Sequence, residues 1–583
     1  MTPQITVLDA GGQYCHLIAR KVRELGVYAE VAASETPASK LQGRRGIIIS
    51  GGPSSVYDSG SPTVDPEIFS LGASVLGICY GEQLMAHLLG GNVQKGERGE
   101  YGFAQLELKN NGKLFSGIEG KQQVWMSHRD LVTATPEGFD ILGKTDTCAI
   151  AAMGSDARKF YAVQFHPEVA HTPCGQTILS NFLFSISGCQ KDWDPAGQVL
   201  AVEEHIRKTV GDGNVFFFVS GGVDSTVAYT LCLKALGPDR VHGTYVDSGL
   251  MREGETEFVK ASFDKLGAKA FFVEDARKRF LDALEGAVEP EKKRHVIGEK
   301  FVDVQQQILE GEHYLDGKWI LGQGTIYPDT IESGGTAKAD LIKTHHNRVA
   351  GIQKLIDEGR IIEPLASFYK DEVRMIGRQL GIPNDLLERH PFPGPGLAIR
   401  CLCTDDEGAP AKVEEGWILP VRSVGVQGDS RTYRPVLAID EFPAAEEEAA
   451  GHTNRRSDIN RVVVTVRTVA PVGELRTARA HLTGDRLERL RRADAIVRKL
   501  SHESGFDQTV WQFPVVLIPF GTAEKPDSIV LRPIDSVDGM TARAVRMPDA
   551  LLEEMSAELL QVNGIAGVFY DLTNKPPGTI EWE

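Results

Sequence analysis

"VFFFVSGGVDSTVAYTLCLKALG", residues 215–237, reads as a buried strand, a glycine turn and a helix. The opening apolar run is rich in aromatic and β-branched residues and short enough for a strand, whereas the stretch after the turn is long enough for a helix. A strand that feeds a helix through glycines brings several backbone N–H groups and the positive helix end to one point, which makes a nest for an anion. Ser220 and Ser225 add hydroxyl donors, and Asp224 adds a carboxylate of the hard type that holds a magnesium ion bridging phosphate oxygens. No lysine follows the glycines, so the loop is not a Walker A motif.

Outward from this stretch, the chain is 583 residues long and must divide into several cores. Residues 1–190 alternate strand and helix ("QITVLDAGG", "HLIARKVRELG", "VYAEVA", "GIIISGGP"), which predicts an open, mostly parallel sheet covered on both faces. The alternation restarts near Gln198, so residues 195–400 form a second α/β domain, whose strand "VHGTYVDSG" ends on Asp247 at the ligand-binding edge of a parallel sheet. The run "RHPFPGPGLAIR" and the acidic stretch after it mark a break. The expected fold class is α/β: two doubly wound parallel-sheet domains followed by an α+β region, residues 401–583. In that last region residues 418–439 with 459–468, and 528–547 with 562–573, suggest a tandem duplication into two related subdomains.

Lys+Arg 63 against Asp+Glu 80 leaves a net charge of −17, which disfavours a nucleic-acid partner. The N-terminal stretch has no signal-peptide pattern, and no apolar run approaches bilayer length, so no membrane role is expected. Eight scattered cysteines do not form a disulfide framework and suit a reducing cytoplasm.

A second constellation is Gly77-Ile78-Cys79-Tyr80-Gly81, between the strand "ASVL" and the helix "EQLMAHLL". Glycine-x-nucleophile-x-glycine is an elbow that projects the nucleophile at a helix N-terminus, where the dipole favours thiolate. "QFHPEV" supplies His166 as base and Glu168 to orient the imidazole, while the amides of Gly52 and Tyr80 are candidates for an oxyanion hole. Cys15, Cys148, Cys174, Cys189 and Cys232 lack such a setting and are read as packing residues. "GICYGEQLMAHLLGG" and "VQFHPEV" resemble the class I glutamine amidotransferases over about residues 4–188. The resemblance implies that Cys79, His166 and Glu168 hydrolyse glutamine to ammonia. Arg129, in "WMSHRD", stands where the related synthetases carry glycine.

Ser220, Gly221, Gly222, Val223, Asp224 and Ser225 resemble the PP-loop of ATP pyrophosphatases, which implies ATP, adenylyl transfer and pyrophosphate release. "EPEKKRHVIGEKF", "LGQGTIYPDTIESGG", "FYKDEVR", "RHPFPGPGLAIR", "LPVRSVGVQGD" and "DLTNKPPGTIEWE", in this order, resemble the glutamine-hydrolysing GMP synthetases of the long C-terminal type. That resemblance implies adenylation and amination of XMP to GMP, with AMP and pyrophosphate released. Magnesium would accompany ATP at Asp224, and no tightly bound organic cofactor is implied. Lys343, Lys370 and Asp371 would lie near the polyphosphate; Arg294, Asp429, Gln512, Lys575 and Glu581 would meet XMP, with Arg294 and Lys575 suited to its phosphate dianion. Another adenylating amidotransferase with a different acceptor is the alternative.

His345 and His346 are adjacent and without further ligands, which argues against zinc. Cys401 and Cys403 form an isolated C-x-C with no second pair, which gives no expectation of a metal or redox role. Ser248 replaces the family's usual asparagine. The long C-terminal region carries an extra unit that could substitute for a partner subunit, so monomer and homodimer both stay open.

Overall fold

The structure is a computed structural model that describes residues 2–109, 112–332, 349–389, 392–427, 430–443, 456, 458–536 and 541–583. The chain divides into two compact units, residues 1–198 and 199–583.

In the first unit, β1 (Ile5–Asp9), β2 (Ala29–Ala33), β3 (Gly46–Ile49), β4 (Ser74–Ile78) and β9 (Phe160–Val163) pair in parallel in the order β2-β1-β3-β4-β9. These strands are the apolar runs that periodicity marks, and most of their residues are buried, as a sheet covered on both faces requires. Helices α1 (Cys15–Glu24) and α2 (Tyr80–Leu88) follow β1 and β4. The sheet then continues antiparallel through β8 (Ala152–Ser155), β7 (Asp140–Lys144), β5 (Asn92–Leu108) and β6 (Lys121–Ala134). The expectation of a mostly parallel sheet is thus corrected to a mixed one. The long β5–β6 hairpin is polar and half-exposed, so it lacks the apolar signature of a central strand.

The second unit contains an all-parallel sheet in the order β12-β11-β10-β13-β14: β10 (Asn214–Phe218), β11 (Val241–Asp247), β12 (Ala270–Asp275), β13 (Trp319–Gly322) and β14 (Ile361–Ile362). Strand order reverses at β10. The turn leading from β10 into α3 (Val223–Leu236) therefore opens at the topological switch point, where parallel sheets bind ligands. Phe216, on β10, is buried against Tyr314 with the rings stacked at 4.5 Å.

The C-terminal region builds one sheet, β15 (Ala411–Val413), β16 (Gly416–Gln427), β17 (Ser430–Ile439), β18 (Arg461–Thr468), β21 (Ile565–Asp571), β20 (Asp527–Leu531) and β19 (Val515–Ile518), in that spatial order. Both segments expected as tandem subdomains contribute strands to it, joined through the antiparallel pair β18–β21. They share one sheet, whose central strands bury on both faces, and a tandem duplication is not confirmed. The expected break near residue 400 also lies inside a common core. Phe280, Leu284, Ile297 and Val304 cluster with Leu397, Leu437, Val497, Leu517 and Tyr570. One cluster therefore spans the proline-glycine run, while residues 216–355 and residues 402–582 each keep a further cluster of their own.

Three charged side chains anchor the C-terminal tail. Arg461 and Arg532 donate to Asp571 at 2.9 and 2.8 Å, all three side chains are fully buried, and Trp582 adds its indole N–H at 2.8 Å. The guanidinium groups also hold the carbonyls of Thr579, Ile580 and Glu581. Burial alone would raise the Asp571 carboxyl, but Arg532 and Arg461 hold it below the ordinary carboxylate range. Asp571→Ala leaves two desolvated cations unpaired and should cost about 3–5 kcal/mol. Urea unfolding of the full chain checks this, and an unchanged midpoint would contradict it. Because the folded carboxyl is depressed, the contribution is complete above the unfolded value of about 4 and fades only as pH falls below it.

Candidate active sites

Cys79 lies between β4 and α2 with φ 55°, the strained left-handed region, as the elbow spacing predicts. A Cβ on Gly81 would lie 2.2 Å from the Ile49 carbonyl, so the turn can pack against β3 only with glycine there. Sγ points to the Ser127 carbonyl at 3.6 Å. His166 Nδ1 is 2.7 Å from Glu168 Oε1, and both residues are buried. The backbone of His166 is fixed on both sides: its N–H donates to Trp125 O at 3.0 Å and its carbonyl accepts from Thr172 Oγ1 at 2.7 Å. Nucleophile and base are neighbours, since a Cβ on Gly51 would lie 3.1 Å from His166 Cε1 and 3.5 Å from Cys79 Cβ. Burial would depress the imidazole; the Glu168 carboxylate and a hydrogen bond with Cys79 outweigh it, and His166 is raised to about 10. The Tyr80 N–H heads α2 without a backbone acceptor among the described residues, and Gly52 packs within contact of Ala10.

Two residues here escaped sequence reasoning. Glu82, on α2 three residues after Cys79, is completely buried, and neither carboxyl oxygen has a hydrogen-bond partner among the described residues. Burial and the adjacent Cys79 push its carboxyl well above the ordinary range. Gln83 spans from Asp130 O at 2.8 Å to Gln164 Oε1 at 3.2 Å, tying α2 to β6. A polar pair inside an otherwise apolar helix was the signal that could have found them. Arg129 is exposed on β6. Cys148 and Cys232 are buried and burial pushes both thiols up, as packing residues require.

In the second unit, Gly221 has φ +76°, and a Cβ there would lie 2.7 Å from Val259 Cγ2. The loop is internally braced: Ser220 Oγ and Ser225 Oγ are 3.2 Å apart, Gly222 N–H donates to Ser220 Oγ at 3.2 Å, and Ser225 Oγ donates to Gly222 O at 3.1 Å. Val223 opens α3, with Asp224 in its first turn. Lys370, the first residue of α6 when α4 (Glu255–Lys265) and α5 (Pro290–Gly311) are counted and α6 spans Lys370–Gln379, reaches Asp224 Oδ2 at 2.5 Å. Asp371 follows it in the first turn of α6. Asp224 Oδ1 is buried and has no hydrogen-bond partner among the described residues. Gly324, not singled out from sequence, lies against the loop: a Cβ there would be 2.8 Å from Ser225 N. Lys343, His345, His346 and Asp429 lie outside the described residues. Ser248 is buried, and its Oγ accepts from Leu250 N–H at 3.3 Å.

A third cluster joins α5 to the C-terminal tail. Arg400 grips Glu581 with two hydrogen bonds of 2.8 and 2.7 Å, and Gln512 donates to Glu581 Oε1 at 3.4 Å. Arg294 donates to the Glu583 carbonyl at 2.5 Å, and its Nε is buried without a partner among the described residues, as is Arg400 Nη1. Lys575 lies in the same tail, with its backbone paired to Ala542. Arg294, Gln512 and Glu581 therefore come together, with unmet cationic donors beside them, and Arg400 joins them as a residue that sequence reasoning passed over.

The class-I glutamine amidotransferase family matches residues 6–186, the NAD synthase family residues 197–298, and the GMP synthase C-terminal domain family residues 499–582. A protein of Leptospira interrogans described as a probable glutamine-hydrolysing GMP synthase is 42% identical over 606 residues, spanning 100% of this chain and 99% of the relative. The glutamine-hydrolysing GMP synthases of Caldicellulosiruptor saccharolyticus and Geobacillus kaustophilus are 41% and 39% identical, each spanning 99% of both chains. With the elbow cysteine, the loop at the switch point and the clustered tail all present on one chain of matching length, this chain belongs to the family of glutamine-hydrolysing GMP synthases.

Proposed function

We propose that this chain makes GMP from XMP, glutamine and ATP, and divides the chemistry between its two units. In residues 1–198, Cys79 Sγ attacks the carboxamide carbon of glutamine. His166 takes the thiol proton and returns it to the departing ammonia, while Glu168 holds the imidazole by its Nδ1–H. The amides of Gly52 and Tyr80 stabilise the oxyanion, and water then releases glutamate from the thioester.

In residues 199–583, the loop from Ser220 to Ser225 binds the β- and γ-phosphates of ATP as they leave as pyrophosphate. O2 of the xanthine ring attacks the α-phosphorus, and ammonia then attacks C2 and expels AMP. Lys370 and Asp371 stand at the polyphosphate, with Lys343 as a further candidate. Arg294, Gln512, Lys575 and Glu581 hold XMP, and Asp429 is a further candidate. The free Oδ1 of Asp224 is a hard oxygen donor suited to Mg2+, which when bound supplies charge neutralisation to the polyphosphate. Lys370 then has to yield part of its bond to Asp224 as ATP enters. Cytoplasmic residence is supported by eight cysteines that are all free thiols; among the described residues no helix is long and apolar enough to cross a membrane.

The observation that carries this reading is the glycine loop at the switch point, with Asp224 and Lys370 converging on it from positions 146 residues apart. It is tested by incubating the purified chain with ATP, magnesium and ammonium, with and without XMP. AMP and pyrophosphate should appear in equal amounts and only with XMP. ADP and orthophosphate would overturn it.

A further inference from the structure

Lys293 is completely buried, which is rare for a lysine, and neither chemistry above uses it. An ammonium carries three donors and no acceptor. Lys293 Nζ directs them to Glu583 Oε2 at 2.6 Å, the Cys401 carbonyl at 2.9 Å and the Ala398 carbonyl at 3.3 Å, partners 290, 108 and 105 residues away in sequence. Each bond falls beside a residue of the third cluster. Lys293 precedes Arg294 on α5, where successive side chains point about 100° apart, so one enters the core while the other turns to the Glu583 main chain. Ala398 and Cys401 bracket Arg400, which is fully buried and grips Glu581. Glu583 lies two residues beyond Glu581 on the tail, and the tail is fixed independently by Arg461, Arg532 and Asp571. One nitrogen therefore ties two elements, α5 and the turn at residues 398–401, to a third that is already held.

We propose that Lys293 is a positioning residue of the acceptor pocket: by docking α5 and the 398–401 turn on the tail, it sets Arg294 and Arg400 at the angle and separation from Glu581 that receive the nucleotide, without touching the nucleotide itself. The proposal rests on the reading of Arg294 and Glu581 as XMP contacts. Apolar packing already joins α5 to the turn through Ile297 and Leu397, but such packing is non-directional. Hydrogen bonds to three defined oxygens fix the register that packing leaves free. Three acceptors around one nitrogen suit a compact ammonium and not the planar fork of an arginine. The donors set by this arrangement are unmet: Arg294 Nε and Arg400 Nη1 are both buried with no hydrogen-bond partner among the described residues. Buried donors without partners are costly, and an anionic nucleotide brings the oxygens that they lack.

Removing the ammonium leaves the Glu583 carboxylate buried and unpaired, and takes a donor from the Ala398 and Cys401 carbonyls. The helix and the turn stay packed but lose their register to the tail. Binding of XMP in the ground state and in the transition state then weakens together, which raises KM and leaves kcat in place. The loop from Ser220 to Ser225 is braced by its own hydrogen bonds and is not reached by this change.

The test measures ammonium-dependent GMP formation by the full-length chain carrying Lys293→Met, Glu583→Gln, or Lys293→Met together with Glu583→Leu. Lys293→Met should raise the KM for XMP about tenfold or more, with kcat within about threefold and the KM for ATP within about twofold of wild type. Glu583→Gln keeps the shape and one acceptor for Lys293, and should raise the KM for XMP about threefold. The double variant replaces a buried ion pair by two apolar side chains, so it should recover most of the urea midpoint lost by Lys293→Met while its KM for XMP stays about tenfold or more above wild type. Stability and positioning are thereby read separately. If Lys293→Met does not fold, the double variant and Glu583→Gln decide. A wild-type KM for XMP in any of the three, once folded, overturns the proposal. A KM for ATP that rises as far as that for XMP, or a KM for XMP that recovers with the midpoint in the double variant, also overturns it, because Lys293 would then only stabilise the fold. Absence of XMP-dependent pyrophosphate release in the wild-type chain strikes the functional reading instead, and leaves the pairing of Lys293 with Glu583 to be judged by the urea midpoints alone.

Discussion

Cys79→Ala will abolish GMP formation from glutamine, by at least about 10³-fold, and leave formation from ammonium salts within about twofold, because in the proposed mechanism the thiol serves only to liberate ammonia. A loss of that size is about 4 kcal/mol of transition-state stabilisation, far more than the removal of a packing sulfur would produce. The geometry supports such a loss. Cys79 occupies a strained elbow at a helix N-terminus, its neighbour His166 is raised to about 10 by Glu168 and Cys79 against the effect of burial, and Glu168 is 2.7 Å from the ring. The strain belongs to the backbone, so alanine inherits it and Cys79→Ser serves as a second variant with nearly the wild-type shape. Steady-state GMP formation with each nitrogen source decides the matter. Glutamine-dependent synthesis that survives either substitution, or failure of ammonium to rescue a variant that still binds ATP and XMP, would refute the proposed division of labour.

Asp224→Asn will fail with both nitrogen sources, losing at least about 10²–10³-fold in pyrophosphate release. Asparagine preserves the shape of the first turn of α3 but removes the charge. The Oδ1 that is buried without a partner would no longer be an anionic oxygen suited to a magnesium ion, and Lys370 Nζ would lose the carboxylate 2.5 Å away. In the proposed mechanism both consequences fall on the adenylyl transfer that glutamine and ammonium share, so neither source can bypass them. Glutamine hydrolysis measured without nucleotide should continue, which distinguishes a chemical lesion in the second unit from global unfolding. A variant impaired with glutamine but normal with ammonium would mean that Asp224 acts on coupling instead.

The parts of the candidate sites that could be read without coordinates are those written in contiguous residues. Gly77 to Gly81, His166 with Glu168, and Ser220 to Ser225 each sit on a strand-to-turn passage whose geometry follows from local sterics, so spacing alone carries their arrangement. Glu82 and Gln83 were missed because their roles depend on what β6 and Gln164 bring over them. The β5–β6 hairpin was missed because a half-exposed ribbon shows no clean apolar pattern.

Local order was therefore settled by residue type and spacing: the parallel strands of both units, the elbow, the anion nest and the class of chemistry each can perform. Tertiary packing decided what is joined over long distances. It seats Lys370 on Asp224, spans residues 250–570 with a shared hydrophobic cluster, sets the supposed repeats side by side in a single sheet, and buries Asp571 between Arg461 and Arg532. It also brings Lys293 to the Cys401 carbonyl and Arg486 to the Leu402 carbonyl. The reason is physical. A charged or sulfur-bearing side chain has no fixed reading on its own, because its energy depends on which partner the fold brings within a few ångströms and how much water is excluded from the pair.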